Sequence, residues 1–387
     1  NGEIYNFGAR RAELERAGER FTTGTDTEVL LVGAAVWGPV GLLERADGMF
    51  AVAIVDTQTG ECWLARDRMG EKPLYYAHLP DGSLIFASEL RALRCHPRAP
   101  TTVDHVGLRR LFTYDFIPSP RTILQGVRKL EPGTVIHWQN GHLDAPHRYW
   151  RMPPKTDDLD ARTAPPALWK AIGDAVESRL VSDVPVGFFL SGGLDSTAVV
   201  AAAAERRDAA SLDTFTVGFE DASFDESEPA RAVARHFGTR HHETRLDEAA
   251  ALNRVPELGA LLDEPLADPS VLPMSLLADF ARKHVTVALS GDGGDELFLG
   301  YPTFAAHAVA EAAARLPAAL REHLIRPLAH LIPVSDKNWS LDYQLKRFID
   351  GLDHGAWERH FVWIGGTAPR AHQALFEPAV LAAASRE

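Results

Sequence analysis

Residues 184–204 read VPVGFFLSGGLDSTAVVAAAA, and no other stretch narrows the possible folds as much. The apolar run through Phe188 and Phe189 suits a strand buried on both faces, and the small-residue run from Thr197 suits a helix packed against it. Between them lie two glycines, two serines and an aspartate. Gly192 and Gly193 allow close backbone approach to a ligand, and the following helix directs free N–H groups and the positive end of its dipole at the loop. Such a loop is suited to an anion. Ser191 and Ser196 add hydroxyl donors, whereas Asp195 would oppose a phosphate unless a divalent cation lay between them. The aspartate therefore points to magnesium. A helix start capped by serine or aspartate is the plainer alternative, and it suits a bare SGG better than the whole FLSGGLDST segment.

Other strand-loop-helix patterns do not fit. There is no lysine for GxxxxGK[ST], Phe189 stands two before Ser191 where GxSxG needs glycine, and the GxGxxG spacing is missing. A second strand ends alike in VTVALSGDGGDELFLGY, where Ser290 and Gly291 repeat the serine-glycine exit and Asp292, Asp295 and Glu296 add three carboxylates. A helix dipole favours one acid there by some tenths of a kcal/mol, which explains one carboxylate more readily than three beside Gly293 and Gly294. The segments DTFTVGF, SEPARAVARHFG and HHETRL continue a strand-helix alternation that argues for a parallel sheet wound with helices on both faces. Ligands of such sheets bind outside the carboxyl ends of the strands, so two glycine-rich exits are expected to converge on one ligand.

Residues 1–150 have a different rhythm. MFAVAIVDTQTGECWLARD and LYYAHLPDGSLIFAS each read as strand, turn, strand, and TDTEVLLVGAAVWG reads as a helix, so an antiparallel sheet with a few helices is expected. RMPPKTDDLDARTAPP, residues 151–166, reads as a linker. The alternating region then runs over 167–387, and beyond about Leu316 it is helical, with Trp339, Trp357 and Trp363 but no motif.

The formal net charge of -13 disfavours nucleic acid and anionic membrane as partners and leaves small molecules. Cys62 and Cys95 are too few and too far apart for a disulfide framework or a CxxC pair, which fits a cytoplasmic setting. No apolar run approaches the roughly 18 residues of a membrane span. The sixteen histidines form no HExxH pair, and adjacent His241 and His242 read as structural strand residues facing opposite ways. GARRAELER, residues 8–16, reads as a solvated helix face.

FLSGGLDST with SGDGGDELFLGY, together with DEPLADPSVLP at 263–273, resembles the synthetase domain of the asparagine synthetase B family, one of the PP-loop ATP pyrophosphatases. NGEIYNF, GTDTEVLL, DGMFAVAIVD, LARDRMGEKPLYY and FASELRAL resemble that family's class II glutamine amidotransferase domain, an Ntn-hydrolase-type antiparallel sheet. The resemblance implies a first domain over 1–150 and a synthetase domain over 167–387. It implies that the SGGLDS loop grips the pyrophosphate part of ATP, with Leu190, Ser191, Gly192, Gly193, Asp195, Ser196, Val217, Ser290 and Gly291 bordering the nucleotide and Asp195 and Asp295 ligating magnesium. Asp292 stands where some members have a glutamate implicated in forming the acyl-adenylate. Asn1 and Gly2 match the oxyanion hole of the glutaminase, and Glu3 and Asp26, with them, match residues that hold glutamine.

Two departures shape the expectation. The family's glutaminase works through an N-terminal cysteine, whereas this sequence begins at Asn1, and it ends before the stretch that carries a phosphate-contacting lysine in the family. The expectation is a fragment lacking both ends, without glutaminase activity of its own; Lys346 or Arg347 would be the cations left to stand in for the lysine. The implied reaction is ATP-dependent conversion of aspartate to asparagine through an acyl-adenylate, with ammonia from glutamine, releasing AMP and pyrophosphate. A homodimer is a further expectation. The open alternatives are a related synthetase that forms a β-lactam or modifies a peptide or sugar carboxylate, a PP-loop enzyme of transfer-RNA modification, disfavoured by the acidic balance and the amidotransferase motifs, and a non-catalytic nucleotide-binding module.

Overall fold

The computed structural model describes residues 1–154, 160–335, 337–338, 340–367 and 369–384. In the first region the strands are β1 (Gly2–Ile4), β2 (Gly48–Val55), β3 (Cys62–Arg66), β4 (Tyr75–His78), β5 (Leu84–Ala87), β6 (Arg128–Lys129), β7 (Thr134–Gln139), β8 (His142–Leu143) and β9 (His147–Arg148). One sheet runs β1-β2-β3-β7-β8 with β9 also on β7, and a second runs β5-β4-β6. Every pairing is antiparallel.

Successive strand residues point to opposite faces, and this alternation divides the core in two. Phe50, Ala65 and Val135 pack with Leu43 and Ile4 on one face. Their neighbours Ala51, Leu64 and Ile136 pack with Leu74, Tyr76 and Leu130 on the other. The first face is covered by the helices α1 (Phe7–Arg16) and α2 (Asp26–Arg45). Two further helices, α3 (Leu90–Arg94) and α4 (His105–Tyr114), follow the second hairpin.

At 20 residues, α2 is long and apolar enough to cross a membrane by length and composition, which corrects the expectation that no segment approaches a span. It is broken at Gly38 (φ 72°) and Pro39, and it buries Val29, Leu42 and Leu43 while packing on α1 and β2. Glycine supplies the positive φ and proline lacks the N–H, so the break suits a helix wrapped on a sheet.

The second region holds β10 (Val186–Phe189), β11 (Asp213–Phe219), β12 (Arg240–Leu246) and β13 (Val287–Leu289), in the spatial order β12-β11-β10-β13. All three pairings are parallel. Phe188 faces the helices α5 (Ala164–Arg179), α6 (Leu194–Ala204) and α7 (Ser227–Phe237) through Val176, Val200 and Ala230. Its neighbour Phe189 packs on the opposite side with Phe215, Leu277 and Ala281, the last two from α9 (Val271–Ala281), which follows α8 (Glu248–Leu261). This is the α/β architecture expected from the sequence, an antiparallel region followed by a doubly wound parallel sheet. The chain winds outward from β10 to β12 and then returns to lay β13 on the other side of β10. That reversal is a topological switch point, where the crevice for a ligand opens.

Two local expectations need correction. The helix expected from Thr197 starts at Leu194, because Gly193 in extended backbone serves as its N-cap, which brings Asp195 and Ser196 into the first helical turn. The linker expected to reach residue 166 gives way to α5 at Ala164, after Asp160 gathers the N–H groups of Arg162 and Thr163; residues 155–159 lie outside the described residues. After β13 the chain forms the short α10 (Gly294–Phe298), closed by Leu299 in the left-handed region, and then α11 (Pro302–Ala313). Farther on, Trp363 is buried and Trp357 exposed, and Trp339 lies outside the described residues.

Candidate active site

The loop after β10 is braced from within. Leu190 is buried, donates its N–H to the Phe215 carbonyl at 2.9 Å and receives the Thr216 hydroxyl on its own carbonyl. Its backbone is thereby fixed to β11 while its side chain fills the core. Gly192 takes φ +82°, and a Cβ there would fall 2.6 Å from the Ala230 nitrogen at the start of α7. The two serines close the loop on itself: the Ser191 and Ser196 hydroxyls lie 3.0 Å apart, and the Gly193 N–H donates to Ser191 Oγ at 3.2 Å. These hydroxyls shape the loop, and the N–H groups that start α6 remain for a ligand.

The loop after β13 presses against the first one. A Cβ on Gly291 would sit 2.7 Å from the Ser196 nitrogen, and one on Gly294 would sit 2.4 Å from Asp195 Cγ. Glycine at both places is what permits the approach. Ser290 Oγ donates to Asp292 Oδ2 at 2.9 Å, which turns exposed Asp292 back toward its own strand exit. Val217, half-buried on β11, packs in the cluster of Phe215 and Leu277. The expected convergence of the two glycine-rich exits is therefore present, between strands that are neighbours in the sheet.

The electrostatics of this contact are unfavourable as they stand. Burial pushes the Asp195 carboxyl above its ordinary range, and the neighbouring Asp295 and Glu296 push it further the same way. Among the described residues no hydrogen-bond donor meets the Asp195 carboxylate. A divalent cation would relieve this crowding. Among the described residues no group of three or more His, Cys, Asp or Glu side chains is placed to hold a metal by itself. Magnesium is ordinarily bound by one or two carboxylates, the rest of its shell coming from water and substrate phosphates. The donor set of Asp195 and Asp295 fits that kind of ion, entering with a phosphate.

Asn1, Gly2, Glu3 and Asp26 form a separate group at the edge of the first sheet. Thr25 caps α2 by accepting the Glu28 N–H, and the Glu28 carboxylate gathers the N–H and hydroxyl groups of Thr22 and Thr23, hydrogen bonds that pull its pKa to about 2. That framework presents Asp26, whose Oδ2 accepts the Ile4 N–H at 3.0 Å. Gly2, at φ +136°, pairs with Phe50 so closely that a Cβ would fall 2.0 Å from the Met49 carbonyl oxygen. The Asn1 side-chain amide donates to Ser88 Oγ at 3.2 Å. Burial raises the Glu3 pKa, as do Asp26 and Asp183, the latter from the segment leading into β10, while Lys72 opposes them. Among the described residues no hydrogen bond or ion pair joins this group to the two glycine-rich loops.

Several residues at these sites had no assigned role in the sequence reading. Glu296 lies beside Asp195 and accepts the Tyr301 hydroxyl at 2.7 Å, a bond that, with burial, raises the tyrosine pKa. The acid was visible in GDELFLGY, but its pairing with a tyrosine five residues on required the left-handed break at Leu299. Lys346 and Arg347, the candidate stand-in cations, are engaged elsewhere: Lys346 Nζ with the Ile332 carbonyl and Asp342, Arg347 with the Val362 and Gly365 carbonyls. His241 and His242 are hydrogen-bonded to Thr214 and Asp213 of the neighbouring strand. A cavity of about 350 Å³, lined in part by Tyr114, Phe116, Leu266, Asp268, Glu296 and Phe361, lies where the first region meets the second.

Residues 1–150 match the glutamine amidotransferase domain family, and residues 167–373 match the asparagine synthase family. Glutamine-hydrolysing asparagine synthetase 1 of Bacillus subtilis (strain 168) is 35% identical over 341 residues, covering 88% of this chain and 53% of that protein. Asparagine synthetase 3 of the same organism is 34% identical over 79% of this chain and 51% of its own length, and asparagine synthetase B of Escherichia coli (strain K12) is 32% identical over 79% and 52%. The chain thus spans about half the length of the curated relatives it matches. A solved glutamine-dependent NAD+ synthetase from Acinetobacter baumannii aligns over 91% of this chain and 92% of its own, at 12% identity and a TM-score of 0.31, too loose a superposition to bear on the site.

Proposed function

Given that the chain belongs to the asparagine synthase family, with a glutamine amidotransferase domain ahead of the synthase domain, we propose that it takes part in the ATP-dependent conversion of aspartate to asparagine in the cytoplasm. The observation that carries this reading is the contact between the two glycine-rich exits, which sets a braced, anion-seeking loop against the crowded carboxylates of Asp195, Asp295 and Glu296. Magnesium, when bound, would neutralise phosphate charge and make pyrophosphate a better leaving group. In the reading proposed here Asp195 and Asp295 hold that ion, and the N–H groups around Gly192, Gly193 and Ser196 receive the pyrophosphate. The backbone at Leu190, Ser191, Val217, Ser290 and Gly291 borders the nucleotide.

A carboxylate oxygen of aspartate attacks the α-phosphorus as the bond to the β-phosphate oxygen breaks, giving an acyl-adenylate and pyrophosphate. Ammonia then bonds to the acyl carbon, AMP departs, and the nitrogen loses a proton. Asp292, exposed at the mouth of the second loop, is the group proposed to accept it. In the first domain, Glu3 and Asp26 hold glutamine, and the oxyanion of its hydrolysis is met at Asn1 and Gly2. The test is aspartate-dependent exchange of labelled pyrophosphate into ATP by the complete protein. Exchange that needs aspartate and magnesium is the expected result, and its absence with every carboxylate tried would leave a non-catalytic nucleotide-binding module.

One observation favours a second reading. Phe116, Leu266, Phe361 and Ile364 line the cavity beside Glu296, a more apolar wall than a small amino acid with two carboxylates and an ammonium group needs. It suits a larger acceptor carboxylate, as in a synthetase that modifies a peptide. Exchange supported by such acids but not by aspartate would select that reading.

A further inference from the structure

Between α8 and α9 the chain passes through DEPLADPS, residues 263–270, and this segment is fastened to the first domain at several points. The N-cap position of α3 is Glu89, whose side chain makes no capping bond. Asp263 does that work from 173 positions away, accepting the N–H of Leu90 at 2.6 Å and of Arg91 at 3.3 Å. The Arg91 guanidinium answers by donating to the Ala260 carbonyl at 2.8 Å. Glu264 accepts the Ile123 N–H at 2.8 Å and pairs with Lys129 Nζ at 2.5 Å. Its side chain is only 10% exposed and that of Asp263 only 14%. The Ala267 N–H then donates to the carbonyl of Asp115, which ends α4 in the left-handed region.

The same segment continues as the wall of the cavity that Glu296 also lines, through Leu266, Asp268 and Pro269. It leads directly into α9, which packs on β11, and from there into β13 and the second glycine-rich loop. A buried carboxylate that loses its partners is strongly unfavourable, and the partners noted above for Asp263 and Glu264 lie in the first domain. The two acids therefore resist any displacement of that domain across the cavity mouth.

We propose that Asp263 and Glu264 are positioning residues that hold the amidotransferase domain in register with the cavity beside Glu296, so that ammonia released in one domain is used in the other. This rests on the proposed amide-forming function. It requires no contact between either acid and a substrate.

The test uses the complete protein and the variants Asp263→Asn and Glu264→Gln, the latter keeping an acceptor for Ile123 while removing the charge paired with Lys129. With glutamine as nitrogen source, the glutamate formed per asparagine is expected to rise several-fold, while asparagine formation from saturating ammonium stays within about twofold. A merely structural role would lower both together, and that result, or an unchanged ratio, would overturn the proposal. If Glu264→Gln does not fold, Lys129→Met with Glu264→Gln removes both charges and leaves none unpaired, and the same rise in the ratio is expected. Amide exchange needs no turnover: it should quicken at Leu90, Arg91 and Ile123 and also across residues 294–300, and an effect confined to the first three sites counts against the inference. Absence of asparagine from either nitrogen source in the unaltered protein would sink the function instead, leaving the exchange result to judge the positioning role.

Discussion

Asp67 in the first domain and Asp195 in the second both sit in motif-bearing segments beside glycine, yet their surroundings are opposite. Asp67 is fully buried and its carboxylate accepts five backbone N–H groups, those of Met69, Gly70 and Glu71 on one oxygen and those of Phe50 and Lys72 on the other. It closes the RDRMGEK turn and ties that turn to β2. Asp195 is half-buried, meets no donor among the described residues, and faces Asp295 and Glu296. A satisfied buried charge holds a structure together, whereas a carboxylate crowded by its own kind raises the energy of the fold until a proton or a cation relieves it.

Asp195→Asn should have the largest effect on activity: a fall of about 10³-fold in magnesium-dependent pyrophosphate release, about 4 kcal/mol of transition-state stabilisation, with thermal stability unchanged or raised. Asp295→Asn should act alike, and the double variant should lose little more than either alone, since both disable one ion. Multiplicative losses would assign the acids to separate tasks. Asp67→Ala should invert the pattern, lowering stability by about 3 kcal/mol as buried N–H groups lose their acceptor, with pyrophosphate release per folded molecule little changed. Calorimetry alongside the exchange assay distinguishes the two kinds of aspartate, and a stable Asp67→Ala protein would erase the contrast.

The glycines around Asp195 offer a finer comparison. Gly192→Ala combines a left-handed backbone with contact on the backbone of α7 and should cost about 2–3 kcal/mol. Gly293→Ala, at φ +90° with open space around it, should cost only about 1–2 kcal/mol. Equal melting-temperature shifts would show that the approach of α7 to the first loop contributes nothing.

The smallest effect is on pH dependence. Because the folded-state pKa of Asp195 is raised above its ordinary value of 3.8, the folded protein holds that proton more tightly than the unfolded chain. Stability from this group is fully present below the unfolded value and is lost as pH rises through the higher folded value. The Asp195→Asn protein should therefore gain on the unaltered one as pH rises to neutrality and lose that advantage in acid. A melting-temperature difference independent of pH between about 3 and 7 would mean that Asp195 does not feel its acidic neighbours.

Much of the candidate site could be read from residue order. FLSGGLDST and SGDGGDELFLGY announced two strand exits with small residues, serines and acids, because strand burial, loop glycines and helix starts are local preferences of neighbouring residues. The helix start was misplaced by three residues because Gly193 acts as an N-cap without a side chain to advertise it. The length of α2 was missed because Gly38 and Pro39 read as a helix end, whereas the chain resumes a helical path after the break at Gly38.

What the order of residues determined by itself was the pair of sheet types, the glycine-rich exits and the family to which they belong, all consequences of periodicity and short-range spacing. What only the tertiary structure decided was which acids stand together. Asp195 meets Asp295 across 100 positions because β13 returns to lie beside β10, and Glu264 finds Ile123 across 141 because a loop crosses between domains. The energy of a carboxylate depends on the distance to its partners in space and on its access to water, and neither quantity is written in the spacing of residues along a chain.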